Sequence, residues 1–228
     1  MTLESGPIDG PAAFARVFGV SRETVARLET YEALLRTWQR TINLVAPSTL
    51  DSVWQRHFAD SAQLFGLIAP PPSNGRPIPK TWLDLGSGGG FPGLVLAILL
   101  AEREPAARMS LVESDTRKAA FLGEVARKTG LTVEIRAERS EKFATQAKSH
   151  IKDVITARAL APLPKLLGLA LPYFSPQTVA LFPKGREVES EVREAEQAFR
   201  FDAALAPSLT DAGARIVIVR NLALKTEG

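Results

Sequence analysis

The 228-residue sequence contains no cysteine. That excludes disulfides, thiolate metal ligands and thiol nucleophiles, and leaves nothing arguing for an oxidising compartment. Histidine is nearly absent as well. His57 and His150 are the only two, and neither sits in a metal-binding pattern such as HExxH, so no metal site is expected. No run of roughly 18 apolar residues occurs, and Met1 to Gly10 carries acids and glycines in place of a basic start and an apolar core. Neither a membrane span nor a signal peptide is expected, and the cytoplasm is the default location. A large excess of either charge is missing too: 28 Lys and Arg against 25 Asp and Glu leave a net charge of +3, compatible with nucleic acid as a partner but no demonstration of it.

What is present is an ordinary folded composition, 45% apolar and 23% charged, which fits one large domain with a modest extension. After Ser21, a plausible N-cap, Val25, Leu28, Tyr31, Leu35, Trp38 and Ile42 recur at helical spacing. A second helix is expected from about Leu50, burying Val53, Trp54, Phe58, Phe65 and Ile68. The run Pro70-Pro71-Pro72-Ser73-Asn74-Gly75 then breaks it. Beyond that run, short β-type segments alternate with helices. The strands are expected at Thr81 to Gly86, Met109 to Glu113, Thr132 to Ala137, Asp153 to Thr156 and Thr178 to Phe182. The helices are expected from about Pro92, and near Thr116 to Lys128, Leu163 to Phe174 and Val188 to Phe199. Such alternation predicts an α/β fold with a mostly parallel sheet covered on both faces. The runs Ala203 to Ala206 and Arg215 to Val219 read as an antiparallel pair at one edge. The expected organisation is a helical extension over 1–75 packed on an α/β domain over 76–228.

The first strand-to-helix loop, Asp84-Leu85-Gly86-Ser87-Gly88-Gly89-Gly90-Phe91-Pro92-Gly93, lies where open α/β sheets bind ligands. Its glycines allow positive φ and close approach of a ligand to the backbone. Gly88, Gly90 and Gly93 also satisfy G-x-G-x-x-G, which raises a nicotinamide- or flavin-dinucleotide reading. Against that, Asp84 sits in the strand end, where a carboxylate would meet the amino group of a methionine moiety and repel a pyrophosphate. Glu113 ends the second strand, where it can accept both ribose hydroxyls of an adenosine. D-x-G-x-G followed by an acid on the next strand therefore points to S-adenosyl-L-methionine. The plainer alternatives are that Asp84 caps the loop and that Glu113 is a solvated strand end.

The absences narrow the methyl acceptor. Pyrimidine C5 generally needs a cysteine nucleophile. Exocyclic adenine amines commonly use an Asn/Asp-Pro-Pro-aromatic motif after the fourth strand, where this chain has Thr156-Ala157-Arg158-Ala159-Leu160. Guanine N7 presents an in-plane lone pair and needs mainly alignment. Arg158 suits a guanine or a cofactor carboxylate, since a guanidinium donates two parallel hydrogen bonds; its alternative is a surface arginine.

Together with Asn43-Leu44, Arg56-His57-Phe58-Ala59-Asp60-Ser61, Arg117-Lys118 with Phe121-Leu122, Arg136-Ala137-Glu138, Arg158-Ala159 and Lys184-Gly185, the Asp84 to Gly93 loop resembles the bacterial 16S rRNA guanine-N7 methyltransferase G family, also called glucose-inhibited division protein B. The likeness runs from about Glu32 to Arg193. It implies a Rossmann-like class I methyltransferase sheet and transfer to N7 of guanine 527 of small-subunit RNA. It also implies cofactor contacts at Gly86 and Phe91 in the loop, at Ala137 and Glu138 bordering the adenine, and at Arg158; Gly88, with Asp84 and Glu113, is expected at the cofactor from the loop pattern itself. Arg158 and Lys184 are expected to position the acceptor. Asn43, Arg56, His57, Arg117, Lys118 and Lys184 are expected to face RNA, either free, in an assembly intermediate or in the finished subunit; the helix of Arg56, His57 and Asp60 is expected beside the catalytic face, as an RNA contact or as a lid over the cofactor. Arg56 and Asp60, four residues apart, have a surface ion pair as their alternative, and Arg117 and Lys118 have plain solvent exposure. One departure from the family's pattern is Pro183, within Phe182-Pro183-Lys184-Gly185, which removes a ladder donor beside Lys184. Two other readings compete: a small-molecule S-adenosylmethionine methyltransferase, and a cofactor- or RNA-binding module without turnover. Trp54 and Trp82 are expected in the core, not as base-stacking platforms.

Overall fold

The computed structural model describes residues 6–68, 77–146 and 151–225. Met1, His150 and the breaker from Pro70 to Gly75, with the expected boundary beside it, lie outside the described residues. Five parallel and two antiparallel-paired strands make one sheet. They are β1 (Thr81–Leu85), β2 (Arg108–Val112), β3 (Val133–Arg136), β4 (Val154–Thr156), β5 (Val179–Lys184), β6 (Phe199–Pro207) and β7 (Arg215–Leu224). Their spatial order is β3-β2-β1-β4-β5-β7-β6. β7 runs antiparallel between β5 and β6, so the expected antiparallel edge is present.

Alternation along the strands divides the core in two. Trp82, Leu111, Val154, Val179, Leu181 and Ile216 face one hydrophobic cluster. Their neighbours Leu83, Val112, Ile155, Ala180, Phe182 and Val217 face the other. The second cluster is closed by α7 (Leu163–Ala170) and α8 (Val188–Ala198). The first is closed by α4 (Gly93–Arg103) and α5 (Thr116–Thr129), and by the N-terminal elements α1 (Pro11–Phe18), α2 (Arg22–Trp38) and α3 (Asp60–Ile68). Phe14, Leu28, Tyr31 and Phe58 of the extension share that cluster with Trp82 and Phe121. The extension therefore forms one face of the sheet's own core.

Ser21 caps α2 as expected, its Oγ accepting from Thr24 N at 3.2 Å. The continuous helix expected from Leu50 is instead a 3₁₀ turn (Pro47–Ser52), a wide π turn (Trp54–Ala59) and then α3. Such wide turns are a recurrent device at functional sites, and this one carries Arg56 and His57. Two helices were not anticipated: α1, framed by Gly10 and a left-handed Gly19, and α6 (Ser140–Gln146). Both are too short for their periodicity to stand out. Pro183 pairs with Ile216 of β7, beyond Leu181, the last residue of β5 opposite β4. A missing N–H is tolerated where the strand has only one neighbour. Among the described residues no helix is long and apolar enough to cross a membrane.

Phe14, fully buried, contacts the rings of Phe18 and Trp54. Phe14→Ala should destabilise the whole protein by about 3–5 kcal/mol. Urea unfolding followed by far-ultraviolet dichroism and by tryptophan fluorescence should remain a single coincident transition. Two separated transitions would show the extension to be a distinct folding unit.

Candidate cofactor and acceptor cleft

The loop after β1 turns through left-handed glycines, Gly86 (φ +66°), Gly88 (+54°) and Gly90 (+92°). Only glycine adopts these angles without strain. From the sheet side, Glu113 holds the loop: its Oε2 accepts from Gly88 N at 2.7 Å and its Oε1 from Asp115 N at 2.7 Å. From beneath, Asp84 accepts from the Thr156 hydroxyl at 2.7 Å and from Gly93 N at 3.2 Å. A Cβ on Gly93 would lie 2.6 Å from the Asp84 carboxylate. Burial pushes the Asp84 carboxyl up from 3.8 to about 6, opposed by the Thr156 hydroxyl, so the group is still ionised at neutral pH. From behind, α2 supplies Tyr31, whose hydroxyl donates to the Gly89 carbonyl. The Tyr31 ring stacks on Phe91 at 5.3 Å.

Arg158 follows β4 and is turned by Ala159, itself left-handed at φ +54°. Its Nη1 donates to Asp60 Oδ2 and to the Arg56 carbonyl, each at 3.0 Å. Its Nη2 lies 2.8 Å from His57 Nδ1. The guanidinium carbon sits over the Phe91 ring at 5.1 Å, on which His57 also stacks at 4.7 Å. Burial, then Arg158, then Arg56 push the His57 imidazole from 6.5 down to about 3, so it is neutral. The other ring nitrogen, Nε2, lies 2.7 Å from the Thr49 hydroxyl.

A cleft of about 410 Å³ opens at the carboxyl ends of the strands, a volume ordinary for a small-molecule site. Gly86, Gly88, Glu113, Glu138, Arg158 and Leu160 line it. A larger groove, about 1010 Å³, lies between Thr81, Arg108 and Ser110 at the opposite ends of the strands. Parallel sheets bind ligands at their carboxyl ends, and the smaller cleft is also where the glycine loop lies. An adenosyl sulfonium compound fits it. A Cβ at Gly88 would meet nothing closer than Gly86 O at 3.8 Å, which leaves backbone open to a ligand, and Glu113 and Glu138 place acidic side chains in the cleft lining.

The structure thus brings Gly86, Gly88, Glu113, Glu138, Arg158 and Lys118 to one cleft. Other expected site residues fall elsewhere. Asp84, 0% exposed, is not in the cleft wall; the loop-capping alternative describes its position. Phe91 is buried between Tyr31 and His57, so it is a support of the loop and not a surface for the cofactor. Ala137 is exposed beside the cleft, outside its lining. His57, 7% exposed and neutral, is corrected from an RNA contact to a core residue. Lys184 is corrected in the same way: its side chain is 10% exposed, and its ammonium is held by Glu191 at 2.7 Å and the Ala161 carbonyl at 2.8 Å. Arg56 pairs with Asp211 at 3.2 Å and not with Asp60, which belongs to Arg158. Arg117 pairs with Asp115 at 3.4 Å, and Asn43 is exposed. Glu113 is not a solvated strand end. Tyr31, Asp60 and Leu160 were missed as site residues, although Tyr31 stood on the stripe of α2 and Asp60 in the quoted Arg56 to Ser61 motif.

The family described as rRNA small subunit methyltransferase G (GidB) matches residues 24–218. The chain belongs to this family. The methyltransferase G of Parvibaculum lavamentivorans is 49% identical over 210 residues, covering 92% of this chain and 88% of the relative. That of Rhodospirillum centenum is 49% identical, with coverages of 92% and 90%. In fold, the chain resembles an O-methyltransferase from Bacillus cereus in complex with SAH (TM-score 0.59, 17% identity, 85% of this chain and 91% of that one). It also resembles the O-methyltransferase TomG from Streptomyces achromogenes in complex with SAM (TM-score 0.58, 13% identity, 96% and 99%). A class I methyltransferase fold for this methyltransferase G chain follows from both.

Both Glu113 oxygens already accept backbone N–H groups, so replacing Glu113 disturbs the loop as well as any ribose contact. Altering the ligand separates the two. S-adenosylhomocysteine lacking a ribose hydroxyl should bind the unaltered protein about 1–3 kcal/mol more weakly than the parent compound, the range for a hydrogen bond to a charged group. Calorimetry should show that discrimination disappearing in Glu113→Ala. Equal affinity of the two ligands for the unaltered protein would remove Glu113 from the ribose site.

Proposed function

We propose that this chain transfers a methyl group from S-adenosyl-L-methionine to N7 of guanine 527 in 16S rRNA, acting in the cytoplasm on the RNA alone or within the small subunit or its assembly intermediate. We read residues 1–75 as an extension packed on a catalytic domain over 76–228, a division supported by the position of α1 to α3 ahead of the first strand. The observation that carries the reading is the Gly88–Glu113 cleft, walled by Arg158, in a chain matched by methyltransferase G from 24 to 218.

The cofactor supplies an electrophilic sulfonium methyl. Glu113 and the open backbone at Gly88 would hold its nucleoside end, Glu138 would border the base, and Arg158 would meet the cofactor carboxylate or the O6 edge of guanine. Neutral guanine carries no proton on N7, so attack requires no deprotonating base. Alignment within a closed cleft is what this chain contributes. The RNA backbone needs cations whose charge is uncommitted. Lys118, Arg139 and Lys165 line the cleft, and their charged ends make no ion pair among the described residues. Lys118 is expected to face RNA from the sequence, and Arg139 and Lys165 join it in the place suggested for His57 and Lys184; each phosphate contact adds a salt-dependent share of affinity.

Small-subunit RNA carrying 7-deazaguanine at the target position keeps its Watson–Crick edge and loses the proposed nucleophile. With labelled cofactor, transfer to that nucleotide should vanish while RNA binding persists. Continued labelling of the same nucleotide would mean that another atom is the acceptor. Labelling of a small molecule but of no RNA would favour the small-molecule methyltransferase reading.

A further inference from the structure

Arg158 reaches the cleft wall with most of its donors already committed. Nη1 uses both of its hydrogens, on Asp60 and the Arg56 carbonyl, and Nη2 uses one on His57. A guanidinium has five N–H donors. Nε–H and the second Nη2 hydrogen therefore remain, without a partner among the described residues. Three of the atoms that hold the group come from one short stretch, Arg56, His57 and Asp60, spanning the π turn and the start of α3.

His57 is the unusual member of that set. A protonated imidazole would place a second cation 2.8 Å from the guanidinium. A neutral imidazole serves only as the tautomer with a bare Nδ1, because Arg158 has no acceptor to offer. The opposite ring nitrogen fits this requirement independently. The Thr49 hydroxyl donates to the Ala46 carbonyl at 2.7 Å, so it accepts at the 2.7 Å contact with Nε2. Two neighbours on opposite sides of the ring thus demand one tautomer, with the proton on Nε2.

We propose that His57 is a positioning residue: fixed by Thr49 as its Nε2–H tautomer, it accepts an Arg158 hydrogen bond at Nδ1 and so presents the remaining Nε–Nη2 edge of the guanidinium to a carboxylate oxygen of the cofactor in the cleft. The inference rests on the proposed cofactor reading of that cleft, and it assigns the orientation of Arg158 to the extension. Asp60 neutralises the guanidinium and Phe91 supports its plane. His57 sets the rotation about that plane's edge, which decides whether a parallel pair of donors or a single one faces the ligand.

The test compares two replacements that a packing role and a positioning role rank in opposite order. His57→Phe keeps a ring on Phe91 and removes the acceptor. His57→Asn loses the ring and keeps an acceptor near the Nδ1 position. Affinity for S-adenosylhomocysteine, measured by calorimetry without RNA, should fall by about tenfold or more in His57→Phe and in Arg158→Ala. It should stay near the unaltered value in His57→Asn. The double variant His57→Phe with Arg158→Ala should bind no more weakly than Arg158→Ala alone. Imidazole nitrogen NMR should find His57 as the Nε2–H tautomer, its signals told apart from those of the other histidine by their loss in His57→Asn. Thr49→Val removes the partner that holds the ring at Nε2 and should weaken binding by a smaller factor than His57→Phe, the imidazole staying Nε2–H because Arg158 excludes a proton on Nδ1.

Additive losses in the double variant, a weaker His57→Asn than His57→Phe, unchanged binding by His57→Phe or Arg158→Ala, or an Nδ1–H tautomer in the unaltered protein would each overturn the proposal while leaving the methyltransferase reading intact. Should His57→Phe fail to fold, Thr49→Val decides: affinity unchanged in that variant overturns it. An unaltered protein that binds no S-adenosylhomocysteine would overturn the cofactor reading itself.

Discussion

The phenol of Tyr31 donates to the carbonyl of Gly89, and its ring lies flat on Phe91, which in turn carries His57 and Arg158. This column of side chains runs from α2, through the glycine loop, to the residue after β4. A loop so rich in glycine has more backbone entropy to lose than any other kind, about 1–2 kcal/mol per ordered residue. Its shape has to be imposed by contacts from outside. The Tyr31 column supplies them from behind, Glu113 from the side and Asp84 from beneath. The cleft owes its form to a framework assembled from both the extension and the sheet.

Charge is distributed with the same economy. Arg158 and Asp60 are mostly withdrawn from water, their side chains 18% and 17% exposed. A pair so placed gives little net stability but is costly to leave half-made. A neutral histidine on the remaining side avoids adding a further charge. Lys184 and Glu191 form a comparable pair on the other flank, where Glu191 also accepts from Leu163 N at 2.6 Å. That pair joins β5, α7 and α8, so Lys184 serves the scaffold. The uncommitted cations are left on the rim, where long side chains keep their hydration until a phosphate displaces it.

The sheet was legible because period-two alternation and β-branched runs are local properties, and every expected strand is present within a few residues. Ser21 as a cap and Glu113 beside the loop were also legible, each from a spacing. What could not be read were contacts between residues far apart in sequence. His57 is a basic residue in a family motif, and nothing local says that Arg158, about a hundred residues on, will occupy it; Glu191 lies only seven residues beyond Lys184, but across a strand-to-helix turn, where no periodicity relates the two. Phe91 and Asp84 were placed one step too close to the ligand because the loop's curl, set by three left-handed glycines, decides which side chains face inward. The π turn escaped notice because a single extra residue per turn leaves the apolar spacing of a helix nearly intact.

One topological detail bears on how the chain reaches this state. β7 lies between β5 and β6, although it follows both in sequence. As the protein is made, β6 emerges directly from α8 with no ladder available to it, since the edge of β5 is reserved for a strand not yet synthesised. The parallel half of the sheet, with the glycine loop and Arg158, precedes that gap entirely. The turn between β6 and β7 also supplies Thr210 to Asp60 and Asp211 to Arg56, the residues that hold Arg158, so the strand that slots in last between two waiting edges completes the sheet and the support of its ligand face together.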